Sequence, residues 1–443
     1  MRRPVLVAAA ACLLSFGAFC LAQRLAYVSY VDLLVYRAEG RAVLTGGDLY
    51  AIAVGRARLP ATYPPAAALL FTPLAVLPPT TLKVLGVLAN LGLLLAFAGL
   101  SLRLTTGRRP GTATVLWAAA AAVWCEPVWG TLRYGQVNLL LAVAVLWDLT
   151  RPRGHRWAGA GTGLAAAVKL TPALFAAFLL TAGLVRALRA RRLPYAPPQA
   201  PRAPRTGPAA HAPYARPGDG PGAAELRAAG VAGGVFCAVG AVAWAVLPGA
   251  SRTYWTSLVL DSGRAGYAEE TANQSLRGVL ARLLHTGHPG LPWAAAALAA
   301  GAAGLAVAVR AELRGDRAAA VVATALTALL VSPISWSHHW IWCLPATLLV
   351  RERAGRRPAL ACWLAFCSYA LWWAVPHGPD RPELGLSAVP MAASALYALA
   401  AAGVLVMLWR TSRSASECSA RRAGGRRSAR PPARGTSRSG RLL

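Results

Sequence analysis

Two carboxylates and three tyrosines stand close together near the start of this chain. Asp32 and Tyr36 lie in Val31-Asp32-Leu33-Leu34-Val35-Tyr36, Asp48 and Tyr50 in Gly47-Asp48-Leu49-Tyr50, and Tyr63 in Thr62-Tyr63-Pro64-Pro65. They follow one apolar segment and precede the next, which places them at a boundary between lipid and water. A carboxylate there can serve as general base, taking a proton from a hydroxyl that attacks a membrane-held substrate. Asp32 is the stronger candidate. It sits beside Tyr30, Tyr36 and the apolar Val31, Leu33, Leu34 and Val35, in a chain with only 16 acidic residues. Asp48 reads as well in such a functional role as it does as a solvated loop acid or the partner of Arg37 or Arg41.

Four more polar groups interrupt the apolar pattern. In Tyr134-Gly135-Gln136-Val137-Asn138, Gln136 and Asn138 can hydrogen-bond sugar hydroxyls or a phosphate, or else cap or bridge helices. Lys169, in Lys169-Leu170-Thr171-Pro172, falls between apolar stretches, where a cation needs an anionic partner. A lipid phosphate fits, shared with the amides of the helix start that follows; snorkelling to the interface is the alternative. Asn273-Gln274-Ser275-Leu276-Arg277 with Arg282 offers amide, hydroxyl and guanidinium groups suited to sugar and phosphate, or an ordinary helix start. Ser332-Pro333-Ile334-Ser335-Trp336-Ser337-His338-His339-Trp340 joins two apolar runs. Adjacent histidines point apart on a helix, and no HExxH pattern or acidic cluster accompanies them, so no metal site is expected. A histidine bonded to a phosphate or to the base is the better reading.

These groups must be positioned by membrane helices. The 443 residues are 56% hydrophobic and only 14% charged, against about 25% charged in soluble domains. Mean hydropathy is +0.46. Apolar runs long enough to cross a bilayer recur, and in lipid such runs must be helical. The expected fold is an all-α polytopic membrane protein with about 10–12 transmembrane helices. Candidate spans are 4–22, 80–101, 112–130, 136–149, 157–168, 172–188, 228–248, 292–310, 318–334, 339–351, 357–375 and 388–409, with 65–78 a re-entrant or interfacial piece. Pro172 argues for a break at 169–172.

The net charge of +30 does not point to nucleic acid. The arginines cluster after apolar segments, as topology determinants that also attract anionic lipid. They set both termini in the cytoplasm, with the first helix retained. The polar motifs then fall together on the opposite, extracytoplasmic side, including a first loop over 24–64. The expected organisation is a membrane part over 1–188, a disordered basic cytoplasmic loop over 189–227, a second membrane part over 228–409 and a disordered basic tail over 410–443. The eight cysteines form no CxxC pair and read as small core residues. A transporter would show paired broken helices and internal repeats; neither is legible.

Taken in order, Asp32-x-x-x-Tyr36, Gly47-Asp48-Leu49-Tyr50, Tyr63-Pro64-Pro65, Gly135-Gln136-x-Asn138, Lys169-x-Thr171-Pro172, Asn273-Gln274-Ser275 and Ser332-Pro-x-Ser335-Trp336-x-His338-His339 resemble the actinobacterial polyprenyl-phosphomannose-dependent α-(1→2)-mannosyltransferases, which are C-type integral membrane glycosyltransferases. The resemblance runs from about residue 27 to about residue 345. It implies the C-type glycosyltransferase fold with an active site at the extracytoplasmic face. The implied donor is polyprenyl-phosphate-mannose, and the acceptor a glycolipid or lipoglycan hydroxyl. No cofactor or metal is implied. Asp32 would be the base in an inverting displacement. Lys169, Arg282, His338 or His339 would stabilise the leaving phosphate. Tyr36, Asp48, Tyr50, Tyr63, Gln136, Asn138, Asn273, Gln274, Ser335 and Trp336 would contact substrate. A pentose donor such as polyprenyl-phosphate-arabinofuranose would suit the same fold.

Overall fold

The computed structural model describes residues 3–26, 28, 30–152, 154–192 and 220–425, the side chains of the last helix as far as 411. Most of the expected basic loop (193–219) and the end of the expected tail (426–443) lie outside the described residues. Every named element is helical. The N-terminal half comprises α1 (Arg3–Leu25), α2 (Val31–Thr45), α3 (Pro65–Ala75), α4 (Pro79–Thr106), α5 (Thr112–Ala122), α6 (Glu126–Tyr134), α7 (Asn138–Leu149), α8 (Ala160–Val168) and α9 (Ala173–Arg192). The C-terminal half comprises α10 (Ala223–Val246), α11 (Pro248–Thr256), α12 (Leu276–Leu283), α13 (Gly290–Leu313), α14 (Arg317–Val331), α15 (Cys343–Ala354), α16 (Arg356–Cys367), α17 (Ala370–Trp373), α18 (Ala388–Ser394) and α19 (Leu396–Gly425).

Among the described residues, five helices (α1, α4, α9, α10 and α13) are long and apolar enough to cross a membrane, or up to seven if each of two bent pairs counts as one span. Their outward side chains suit lipid: Leu13 is 72% and Leu14 74% exposed, unfavourable in water and favourable in hydrocarbon. The remaining expected spans are shorter or broken helices. The run 112–130 is not one straight helix, because α5 and α6 meet at 80°. Pro127 stands in the first turn of α6, where it cannot extend a preceding helix. The run 388–409 is likewise broken, α18 and α19 meeting at 62°. The expected break at 169–172 is present, with Lys169 in extended conformation between α8 and α9.

The segment 24–64 is not all loop, since α2 occupies its middle. Leu33, Val35, Tyr36, Glu39, Gly40 and Ala42 are its buried residues, and it packs on α3. Gly40 permits that contact. A Cβ there would lie 2.3 Å from the Phe71 carbonyl oxygen. At its end Gly46 takes φ 68° and closes the helix.

The helix ends sort by charge. Arg353 pairs with Asp316 at 2.7 Å and Arg317 with Glu312 at 2.9 Å. Arg317 also donates to the Leu149 carbonyl at the close of α7. The opposite ends of α7, α14 and α15 carry Gln136–Asn138, Ser332–Trp336 and Ser337–Trp342. One end of the bundle is therefore arginine-rich, and the other bears the polar motifs.

Candidate active site

At that second end lies a cavity of about 1250 Å³. Asp32, Tyr36, Tyr63, Gln136, Lys169, Trp336, His338 and His339 all line it. Asp32 stands in the first turn of α2, where the helix dipole favours a carboxylate. Gln136 reaches it through Gly135, which takes φ 70° and whose Cβ, if present, would lie 2.7 Å from the Leu33 Cβ. A side chain at 135 would push Gln136 away from Asp32.

The polar groups form one connected chain. Gln136 Nε2 donates to Asp32 Oδ2 at 2.8 Å. Gln136 Oε1 accepts from the Tyr36 hydroxyl at 2.7 Å and the Tyr63 hydroxyl at 3.1 Å. Lys169 Nζ donates to the Tyr63 hydroxyl at 3.4 Å, to Asn138 Oδ1 at 3.1 Å and to His339 Nε2 at 3.0 Å. Asn138 Nδ2 and the Thr131 hydroxyl both donate to the His338 carbonyl, at 3.0 and 2.7 Å. A carboxylate at one end and an ammonium at the other thus face the same space, held apart by Gln136 and Tyr63.

Burial raises Asp32 to about 6, opposed by the Gln136 hydrogen bond and the Lys169 charge. Burial lowers Lys169 to about 7, opposed by Asp32. His338 falls to about 3, through burial and then the Lys169 charge. Both histidines are therefore neutral near pH 7, and Lys169 is the cation of this wall. His338 Nε2 is buried without a partner, so it is free to bond a ligand.

The other sequence-predicted residues lie elsewhere. Asn138 and Ser335 line a smaller cavity of about 50 Å³ that shares Lys169 and His339 with the first. Asp48 is exposed and accepts from the Tyr50 amide at 2.9 Å. Tyr50 donates to the Tyr63 carbonyl at 2.9 Å and stacks on Tyr254. Neither lines the large cavity. Asn273 accepts from the Ser335 amide at 3.0 Å, and Gln274 donates to the Ser394 carbonyl at 2.7 Å. Arg282 is completely buried. It donates to the carbonyls of Glu269, Glu270, Asn273 and Ser394 and to the Ser394 hydroxyl, at 2.9–3.1 Å. Gln274 and Arg282 brace the loop ahead of α12 against the α18–α19 bend, whose free Ser394 carbonyl they satisfy, and Asn273 ties the same loop to the turn after α14.

Arg282→Ala is accordingly expected to unfold the protein rather than slow a folded one. Several buried acceptors lose a charged donor, at about 1.5–3 kcal/mol each. The check is a thermal melt with size-exclusion chromatography. A well-folded, slow Arg282→Ala protein would put the guanidinium in the chemistry instead.

Sequence reasoning missed the buried carboxylates, Glu126 and Glu39 among them. Glu126 accepts from the Ser337 hydroxyl at 2.8 Å, the Trp372 indole at 3.0 Å and the Tyr397 hydroxyl at 2.9 Å, tying α6, α17 and α19 to the histidine turn. Glu39 lines the large cavity. Among the described residues no group of three or more His, Cys, Asp or Glu is placed to hold a metal ion. The seven described cysteines are free thiols.

Comparison with known proteins gives a family. The model of glycosyltransferase family 87 matches residues 61–191 and 222–333. A polyprenol-phosphate-mannose-dependent alpha-(1-2)-phosphatidylinositol pentamannoside mannosyltransferase of Mycobacterium tuberculosis is 31% identical over 357 residues, covering 78% of this chain and 73% of its own. A polyprenol-phosphate-mannose-dependent alpha-(1-2)-phosphatidylinositol mannoside mannosyltransferase of Mycolicibacterium smegmatis is 31% identical over 408 residues, covering 85% and 83%. Its namesake in Mycobacterium tuberculosis is 32% identical over 346 residues, covering 75% and 70%. No solved structure matches.

Proposed function

The chain belongs to glycosyltransferase family 87, and on that premise we propose that it transfers mannose from polyprenyl-phosphate-mannose to a hydroxyl of a phosphatidylinositol mannoside or related lipoglycan, forming an α-(1→2) link. The observation that carries this reading is the pairing of Asp32 and Lys169 across one cavity. The acceptor oxygen attacks the anomeric carbon as its proton passes to Asp32. The bond from that carbon to the phosphate oxygen breaks, and the phosphate stays on the polyprenol. A single displacement inverts the anomeric configuration. Lys169 stabilises the charge that gathers on the departing phosphate, where exclusion of water strengthens the effect. Neutral His338 and His339 add hydrogen bonds.

The bundle's two chemically distinct ends support an orientation with the arginine-rich end and both termini in the cytoplasm and the cavity outside. A lipid-linked donor suits that side. Its sugar is activated by the phosphate it carries, and its tail anchors it in the bilayer.

The pH profile follows from the two buried charges. Asp32 must be ionised to accept a proton, so kcat/KM falls below about pH 6. Lys169 must be protonated, so kcat/KM falls again above about pH 7. A narrow bell is expected between these values, and Lys169→Arg should remove its alkaline limb, since arginine stays charged. Initial rates across the neutral range check this; a flat profile would contradict it.

The donor is tested with purified protein in liposomes, offered polyprenyl phosphate carrying either mannose or arabinofuranose. Transfer of mannose is expected. Transfer of the pentose alone would overturn the choice of donor, and transfer of neither sugar would overturn the reaction.

A further inference from the structure

Glu39 and Glu383 stand apart from the other buried acids, and of the two only Glu39 lies on the same helix as Asp32. Glu126 has three donors, Asp148 accepts from Gly159 and Thr162, Glu225 pairs with Arg186, Glu269 with Arg381 and Glu312 with Arg317. Glu39 is 2% exposed, and among the described residues its carboxyl has no hydrogen bond and no ion pair. Its oxygens are not among the sealed, unpartnered polar atoms and its side chain lines the cavity, so they open onto that space, where a ligand can supply their partners.

Geometry says which ligand. Asp32, Tyr36 and Glu39 recur at i, i+4 and i+7, one face of α2, and all three line the cavity. The close Gly40–Phe71 approach fixes that face. A rise of about 1.5 Å per residue sets Glu39 about 10 Å along the helix from Asp32, farther than one pyranose ring spans. Tyr63 and Tyr254 present aromatic rings to the same space, surfaces suited to the C–H faces of sugars. Burial, and then the neighbouring Asp32 charge, raise Glu39 to about 8. A neutral carboxyl offers one donor and one acceptor, matching a pair of hydroxyls.

We propose that Glu39 binds hydroxyls of the acceptor sugar next to the one under attack, so that the enzyme selects acceptors carrying at least two sugar units. This rests on the mannosyl-transfer reading above, and the test separates the two. Full-length protein in detergent is titrated calorimetrically with octyl mannoside and octyl dimannoside, with no donor present. Wild type is expected to bind the dimannoside about tenfold more tightly, the worth of one or two hydrogen bonds. Glu39→Ala should bind the two alike, and Glu39→Gln, which keeps a donor and an acceptor, should retain the preference. Because the acid is unpaired, Glu39→Ala should melt no lower than wild type; a purely structural acid would lower the melting temperature. A preference that survives Glu39→Ala, or is absent from wild type, overturns the proposal. Selective binding by a protein that transfers no mannose would instead refute the reaction and leave this site standing.

Discussion

Asp32→Asn is expected to lower kcat by about 10²- to 10⁴-fold, the usual contribution of a positioned base, with little change in either KM. Asparagine keeps the size of the side chain and an oxygen that can accept from Gln136 Nε2, which now lies 2.8 Å from Asp32 Oδ2. Only the basicity is lost. Replacing a buried anion with a neutral amide also removes a desolvation cost, so the variant should melt no lower than wild type. The check is a steady-state comparison at matched protein, beside a thermal melt. Activity within tenfold of wild type in a folded protein would remove Asp32 from the base role and turn attention to Glu39 or Glu270, which line the same cavity.

Lys169→Met should cost about 10²- to 10³-fold in kcat, the loss seen when one preorganised donor to developing charge is removed. Methionine is of similar length and apolar, so the packing around α8 and α9 is retained while the charge goes. A second consequence distinguishes this from general damage. The Lys169 charge holds Asp32 down against burial, so without it the acid limb of the pH profile should move above about 6. Rates measured across pH for Lys169→Met and Lys169→Arg read both effects. A variant with unchanged kcat, or a slow one with an unmoved acid limb, would contradict this electrostatic link.

How much of this was legible in the sequence varies by residue. Asp32 and Lys169 stood out because a charge bordering an apolar run is expensive and therefore conspicuous, and the structure puts both on one cavity. Gln136 and Tyr63 were visible as motif residues expected to touch substrate. The structure shows them bonded to each other and to both charges, an arrangement between positions 104 and 106 residues apart that no local pattern reveals. Arg282 looked like a phosphate ligand, since a guanidinium in a polar loop has that chemistry. Its partners are carbonyls of its own loop and the Ser394 carbonyl and hydroxyl at a helix bend 112 residues away. Glu39 was missed because the segment 24–64 read as loop, although its i, i+4, i+7 spacing with Asp32 and Tyr36 was available. Glu126 was missed because hydropathy averaged it into one span, where Pro127 marked a break.

The long helices were legible for the same reason that their interruptions were not. Some twenty apolar residues in a row announce a span. A sharp bend depends on whether neighbouring side chains can satisfy the freed backbone groups. Gln274 and Arg282 do so at Ser394.

The most direct test of the central claim is transfer of radiolabelled mannose from polyprenyl-phosphate-mannose to a phosphatidylinositol mannoside by purified protein in liposomes, the product then digested with an α-(1→2)-specific mannosidase. Label in the glycolipid, released by that enzyme, is the result expected here. No label in the glycolipid, or label that resists the digestion, would contradict it.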